Sequence, residues 1–260
     1  MTLHYRYHMA PTPRFSAEEQ EELIISAAIQ AIEKSSLLDF SMSAIAKLAG
    51  LSMGSVYKFV QCKEDVLIAL ATRMYQKRQS IFKKVLALPL TTPERIISIS
   101  LLDFSKVEMY NFDQQLESIV NTEAMMKRCS ERWLRQMIAC GERCQTMFQI
   151  FLQNAADSGE LTSGNRDIEE IKLGTWSLAI GYFQTVQLHQ RWRSGTEDNT
   201  EEGISANVEE KNESITCSLA ADDVHIRSMK RLINTYDWQK VISENDIENV
   251  CKQLTNAQLR

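Results

Sequence analysis

SMSAIAKLAGLSMGSVYKFVQCKEDVL, residues 41–67, sets two short apolar patterns on either side of one glycine, with a tyrosine and two lysines close behind. Ser41 stands where a helix N-cap belongs, and Met42, Ile45, Ala46 and Ala49 follow at helical spacing. Gly50 closes that pattern with a residue free to take a positive φ. Ser52 offers a second cap, after which Val56 and Phe59 give the next helix its inward side. Two short helices joined this tightly form a helix-turn-helix, in which the first braces the second for the DNA major groove. The other side of the second helix carries Met53, Gly54, Ser55 and Lys58, small or polar groups able to approach base edges or phosphates.

Charge is distributed in a way that agrees with this. The whole chain of 260 residues carries a net charge of -5. Residues 43–84 nevertheless hold eight lysines and arginines against two acids, a local excess of six. Phosphate contacts need positive groups only where a duplex lies, so a basic stretch in an acidic chain suits a local polyanion site; a solvated helix face is the plainer use of the same residues.

Helical spacing extends over most of the sequence, and the expected fold class is all-α. Ser16 and Glu19 have the spacing of a capping box, ahead of Leu23, Ile24, Ala27, Ala28, Ala31 and Ile32. A fourth helix is expected from Lys63 to about Leu86, ending before Pro89 and Pro93. Further helices are expected over 94–109, 112–122, 124–156 and 167–192. No alternating run bounded by hairpin turns competes with them. Residues 195–213 then carry seven acids and one lysine with almost nothing apolar, the composition of an exposed or flexible loop. Apolar spacing returns over 219–237 and 238–256. The expected organisation is a flexible segment at 1–15, a helix-turn-helix domain at 16–65 and a helical effector-binding and dimerization domain at 66–260.

Residues 23–70 resemble the amino-terminal domain of TetR-family transcriptional regulators. The resemblance rests on an ordered series: Ile45-Ala46, Ala49-Gly50, Leu51-Ser52, Gly54, Tyr57, Phe59-Val60 and Lys63-Glu64. It implies that Tyr57 bonds a backbone phosphate, that Lys63 at the start of the fourth helix pairs with another, and that Ser41 can donate to the backbone. It also implies that Met53, Gly54, Ser55 and Lys58 face the groove. Ser43 stands where the family often has a basic residue, which shortens that contact to a hydroxyl, and the family's glycine after the first helix is missing from "EKSSLLDFS". Beyond residue 70 the resemblance is one of layout. It implies a dimeric repressor on a palindromic DNA operator, with half-sites about 34 Å apart, and an effector-binding domain behind the DNA reader. Control by a protein partner, through the acidic segment, is the alternative to a small molecule.

Candidate effector residues are Ile97, Leu101, Phe104, Tyr110, Met137, Cys140, Met147, Phe148 and Phe151, an aromatic and methionine-rich set that would suit a small, mostly apolar effector. Each taken alone reads better as core. The 167–192 helix carries apolar residues around too much of its circumference for a helix with one exposed face, so Trp176, Ile180 and Phe183 are candidates for a homodimer interface or its supporting core, with Gly174 and Gly181 allowing close approach.

Short helices around a glycine also occur in enzymes, and the remaining residues bear on that. There is no H-E-x-x-H, no G-x-S-x-G and no phosphate-binding glycine loop. The six cysteines include no C-x2-C pair, so no metal or cofactor is expected. No secretory signal or membrane span is expected either, and a cytoplasmic protein is the default.

Overall fold

The computed structural model describes the backbone over residues 15–197 and 218–260, and the side chains there except at 183 and 186–197. Most of the expected acidic loop, nearly all of the expected amino-terminal segment and the side chain of Phe183 lie outside the described residues. Every extended element described is helical, apart from one isolated bridge between Leu161 and Trp238, and the expected all-α class holds.

The helices are α1 (Ala17–Lys34), α2 (Met42–Ala49), α3 (Met53–Phe59), α4 (Lys63–Leu86), α5 (Thr92–Ser100), α6 (Phe104–Val107), α7 (Asp113–Val120), α8 (Glu123–Arg128), α9 (Glu131–Asp157), α10 (Ile168–Glu197), α11 (Val224–Ile233) and α12 (Glu244–Asn256). They belong to two compact units. The first takes the described residues to Arg73 together with Phe112–Ile138, and the second takes Met74–Asn111 with the described residues from Ala139 onward.

Local chemistry sets the boundaries of the first unit. The Ser16 hydroxyl accepts from the Glu19 N–H while the Glu19 carboxylate accepts from the Ser16 N–H, closing the capping box expected of them. Ser41 and Ser52 each accept the N–H three residues on, and Gly50 leaves α2 at φ 64°. A side chain at Gly50 would meet open space, so its requirement is conformational: any L-residue there is strained. Ile24, Ala28, Ile32, Phe40, Ile45, Val56 and Val60 are buried where α1, α2 and α3 meet. At the other end of the turn that follows α3, Asp65 is 0 % exposed. One of its carboxylate oxygens accepts from the Gln61 N–H at 2.8 Å and the other from the Ser130 N–H at 2.6 Å, joining the α3–α4 turn to the start of α9.

In the second unit the core is shared among the later parts of α4 and α9 and α5, α10, α11 and α12, with Val85, Ile97, Leu101, Leu152, Ile171, Ile226, Ile233, Val250 and Leu254 all buried. The C-terminal end is tied in as well. The Asp103 N–H donates to the Leu259 carbonyl, and the Arg260 guanidinium donates to the carbonyls of Leu101 and Leu219. His225 lies under α10, stacked on Tyr182 at 4.3 Å and within 3.2 Å of the Ser100 hydroxyl. Burial pushes its pKa down, against the opposing pull of Asp223.

Four helices differ from expectation for identifiable reasons. The helix expected over 94–109 breaks at 101–103, where Asp103 gives its N–H to Leu259 and its carboxylate caps the N–H of Ser105. The helix expected over 124–156 breaks at Cys129-Ser130, because Ser130 donates to Asp65 and not to a carbonyl of its own helix. The two C-terminal helices begin later than their apolar patterns, at the caps Asp223 and Ser243.

Asp65→Asn replaces one of two acceptor oxygens by an amide donor facing a backbone N–H. The expected loss is about 2 kcal/mol of unfolding free energy in a denaturant titration, against no loss for Asp39→Asn on the exposed α1–α2 loop.

Candidate nucleic-acid interface

One side of α3 is committed to the core. Val56 is fully buried, as is Val60 just beyond the helix, and their burial turns the opposite side outward. That outward side carries Met53, Gly54, Tyr57 and Lys58, all exposed, with Met53 at 37 % and Tyr57 at 46 %. Positions 53, 54, 57 and 58 share one face because four residues make slightly more than one helical turn. Gly54 adds closeness: a Cβ there would meet only the Ser52 hydroxyl, at 3.8 Å.

The serines of the motif are already engaged with one another. The hydroxyls of Ser41 and Ser43 are 3.0 Å apart, and so are those of Ser52 and Ser55. In each pair one hydroxyl caps a helix and holds the other in place, leaving acceptor or donor capacity for a further partner. Lys63 reaches across the turn: its ammonium donates to the Leu38 carbonyl at 3.2 Å and lies 5.1 Å from the centre of the Phe40 ring. Of its three donors, two remain for another acceptor.

Several residues at this end of α3 have no counterpart among those expected from sequence. The Trp133 Nε1–H donates to the carbonyl of Phe59 at 3.1 Å, and the two rings meet edge to face at 5.1 Å. The Arg132 guanidinium lies over both, 5.6 Å from the Phe59 ring centre and 5.2 Å from that of Trp133. Arg128 pairs with Glu64 at 2.8 Å, and the Cys62 thiol donates to the Arg128 carbonyl at 3.6 Å. Burial, above all, pushes the Cys62 thiol up to about 11, so it stays protonated near neutral pH. Phe59, expected to point inward, is half-buried under Trp133. Trp133 and Asp65 could not be matched by local spacing, since the contacts they make span 74 and 65 residues.

The candidate effector residues are placed in different surroundings. Met137 belongs to the first unit and the other eight to the second. Ile97, Leu101, Tyr110, Met137 and Cys140 are buried, while Phe104, Met147, Phe148 and Phe151 are half-buried. Phe148 packs edge to face on Phe82 at 6.0 Å. Met147 and Phe151 line a depression of about 520 Å³ with Leu86, Ile150, Lys83 and Arg95 among its other walls. Of the dimer candidates, Trp176 is exposed and Ile180 is half-buried. Gly174 is approached from within the same chain, its Cβ position lying 3.4 Å from the Tyr236 hydroxyl and 3.5 Å from Leu232, whereas that of Gly181 has nothing within 4 Å. Among the described residues, no group of three or more histidine, cysteine or acidic side chains could hold a metal ion. No described helix is long and apolar enough to cross a membrane.

No protein-family model and no curated protein matches the chain. Among solved structures it is similar to the transcriptional regulator FadR from Bacillus subtilis, in complex with stearoyl-CoA, at 20 % identity and a TM-score of 0.47, over 66 % of this chain and 89 % of that one. It is also similar to the fatty acid degradation regulator FadR from Bacillus halodurans, at 16 % identity and a TM-score of 0.45, over 64 % of this chain and 88 % of that one.

The outward face of α3 separates two kinds of contact. Tyr57→Phe removes one hydroxyl and keeps the ring, so binding to a selected duplex is expected to weaken about tenfold with sequence preference unchanged. Met53→Ala is expected to alter preference more than affinity, read by repeating the duplex selection with the variant. Equal weakening on every duplex by Met53→Ala would remove it from the reading surface.

Proposed function

We propose that the chain is a sequence-specific DNA-binding transcriptional regulator of the TetR type. It acts as a homodimeric repressor released by a small, mostly apolar effector. The observation that carries this reading is the helix-turn-helix itself: Val56 and Val60 anchor α3 from one side, its free side offers Met53, Gly54, Tyr57 and Lys58, and Lys63 opens the helix that follows. Such a face supplies both parts of recognition, since cationic and hydroxyl groups position a duplex through its phosphates while short side chains approach base edges. The two cap hydroxyl pairs stiffen the entry to each helix, which lowers the ordering cost of binding.

Dimerization has support of a different kind. Leu173 is 59 % exposed and Trp176 44 %, and with half-buried Ile180 they recur at helical spacing along one side of α10. A two-fold pair closing this face would cover it and carry two copies of α3 to one operator. The depression at Met147 and Phe151 offers an effector walls of both kinds: Leu86, Ile150 and Phe151 suit an apolar portion, and Lys83, Arg95, Asn154 and Glu160 suit a polar or charged end.

Two outcomes are expected. Selection from a random-sequence duplex pool should enrich a palindrome, and a pool of hydrophobic metabolites should release the protein from it; enrichment of no sequence would remove the DNA-binding reading. Trp176→Glu should raise the monomer fraction in sedimentation and weaken operator binding while far-ultraviolet helicity stays intact. A parent-like dimer with this variant would move the interface away from that face.

A further inference from the structure

We propose that Arg132, which lies outside the helix-turn-helix, contributes an additional contact to the DNA backbone. The inference rests on the DNA-binding reading above and extends the binding surface from α2, α3 and the start of α4 to the first turn of α9.

Position comes first. Arg132 is the second residue of α9, and its guanidinium is held over the ring of Phe59, the last residue of α3. Phe59 follows Lys58 directly and Tyr57 by two, so the cation is fixed at the end of the same helix whose outward face carries those two residues. The fixing is not left to one contact. Trp133 beside it is buried, donates to the Phe59 carbonyl and offers Arg132 a second ring face at 5.2 Å. Ser130, two residues earlier, is bound through its N–H to buried Asp65. The first turn of α9 is therefore pinned to the α3–α4 turn by two independent hydrogen bonds, and Arg132 rides on that turn.

Charge comes second. The neighbouring acids are occupied by other cations or by backbone groups: Glu64 pairs with Arg128, Glu131 pairs with Arg135, and both oxygens of Asp65 accept N–H groups. Arg132 has no carboxylate partner among the described residues, and it is exposed. Stacking on aromatic rings leaves the edge of a guanidinium free, with its five N–H donors in a planar fork that matches a phosphate. An exposed arginine held over two rings, and whose donors meet no acid, is preorganised for an anion. At the end of the recognition helix the anion that fits is a phosphate of the bound duplex. Arg128 and Arg135, each already paired with an acid, are the internal comparison.

A merely structural cation–π contact would act on folding stability alone. A phosphate contact acts on salt dependence, because each one releases a counterion and contributes about 0.9 to the logarithmic slope of affinity against salt. The test measures binding of the full chain to a duplex recovered by selection from a random-sequence pool, over a range of salt, for the parent, Arg132→Gln, Arg132→Lys and Arg135→Gln. For Arg132→Gln the slope should fall by about 0.9 per copy bound, the affinity should drop on every duplex alike, and the enriched sequence should not change. Arg132→Lys should recover most of the slope, and Arg135→Gln should leave it close to the parent's. Thermal unfolding of each variant checks that the side chains have been changed on a folded protein. If the parent binds with a steep slope and Arg132→Gln retains it, this inference fails while the helix-turn-helix reading stands. A parent with no salt-dependent affinity for any duplex would overturn both.

Discussion

The arrangement around α3 depends on one buried carboxylate. Asp65 is withdrawn from water at the third position of α4, where an unpaired charge would cost several kcal/mol or force protonation. Two circumstances offset that cost. Its position in the first turn sets the negative charge against the positive end of the α4 dipole, and each of its oxygens takes a backbone N–H that would otherwise be orphaned. The Gln61 N–H lies in the turn leaving α3, and the Ser130 N–H lies at the entrance to α9, a helix terminus whose first amides have no partner within the helix. Apolar packing could bring these segments together, but it is non-directional. A carboxylate between two amides specifies the register of one against the other.

From that register the neighbouring contacts follow. With Ser130 fixed, Trp133 comes one helical turn later against the end of α3, and its indole N–H satisfies the Phe59 carbonyl. Phe59 closes α3, so its carbonyl is one of those that a helix end leaves over. The ring of Phe59, in turn, is covered by Trp133 and Arg132 and has no need of the core, which explains how a residue spaced for the interior comes to lie half-buried at the rim. The core side of α3 is left to Val56 and Val60 alone. Two valines suffice because α3 is only seven residues long and both of its ends are held by hydrogen bonds.

What could be read from the sequence was whatever is encoded within a few residues. The caps Ser16, Ser41 and Ser52, the positive φ of Gly50, and the start and end of α4 all depend on neighbours in the chain, and each lies where its residue type required. The misread helices share a different cause. At 101–103 and at 129–130 the apolar spacing continues smoothly, and the helix breaks because a distant group, Leu259 in one case and Asp65 in the other, takes the N–H. Periodicity records which face is apolar and is silent on which backbone amide finds a better acceptor. Aromatic and methionine content was ambiguous for a related reason: a side chain in a packed core and one lining a hollow obey the same pattern, so Ile97 and Leu101, fully buried, looked no different from Met147 and Phe151 at a depression. Gly174 was legible as a site of close approach, but not what approaches it; α11 of the same chain does, through Leu232, with Tyr236 from the turn that follows.

Lys63 shows how the candidate interface divides its labour. Its ammonium holds the Leu38 carbonyl and lies against Phe40, so it braces the loop between α1 and α2 before any ligand arrives. A lysine committed in this way gives up rotamer freedom in the folded protein, and the entropy that an exposed lysine would lose on gripping a phosphate is already lost. The same holds for the serine pairs at the heads of α2 and α3, and for an arginine held over two rings. Met53, Gly54 and Lys58 are the contrast: exposed, without such restraints, and short or flexible. Groups suited to phosphates, whose spacing hardly varies with sequence, are held rigid. Those suited to reading bases are left able to adapt.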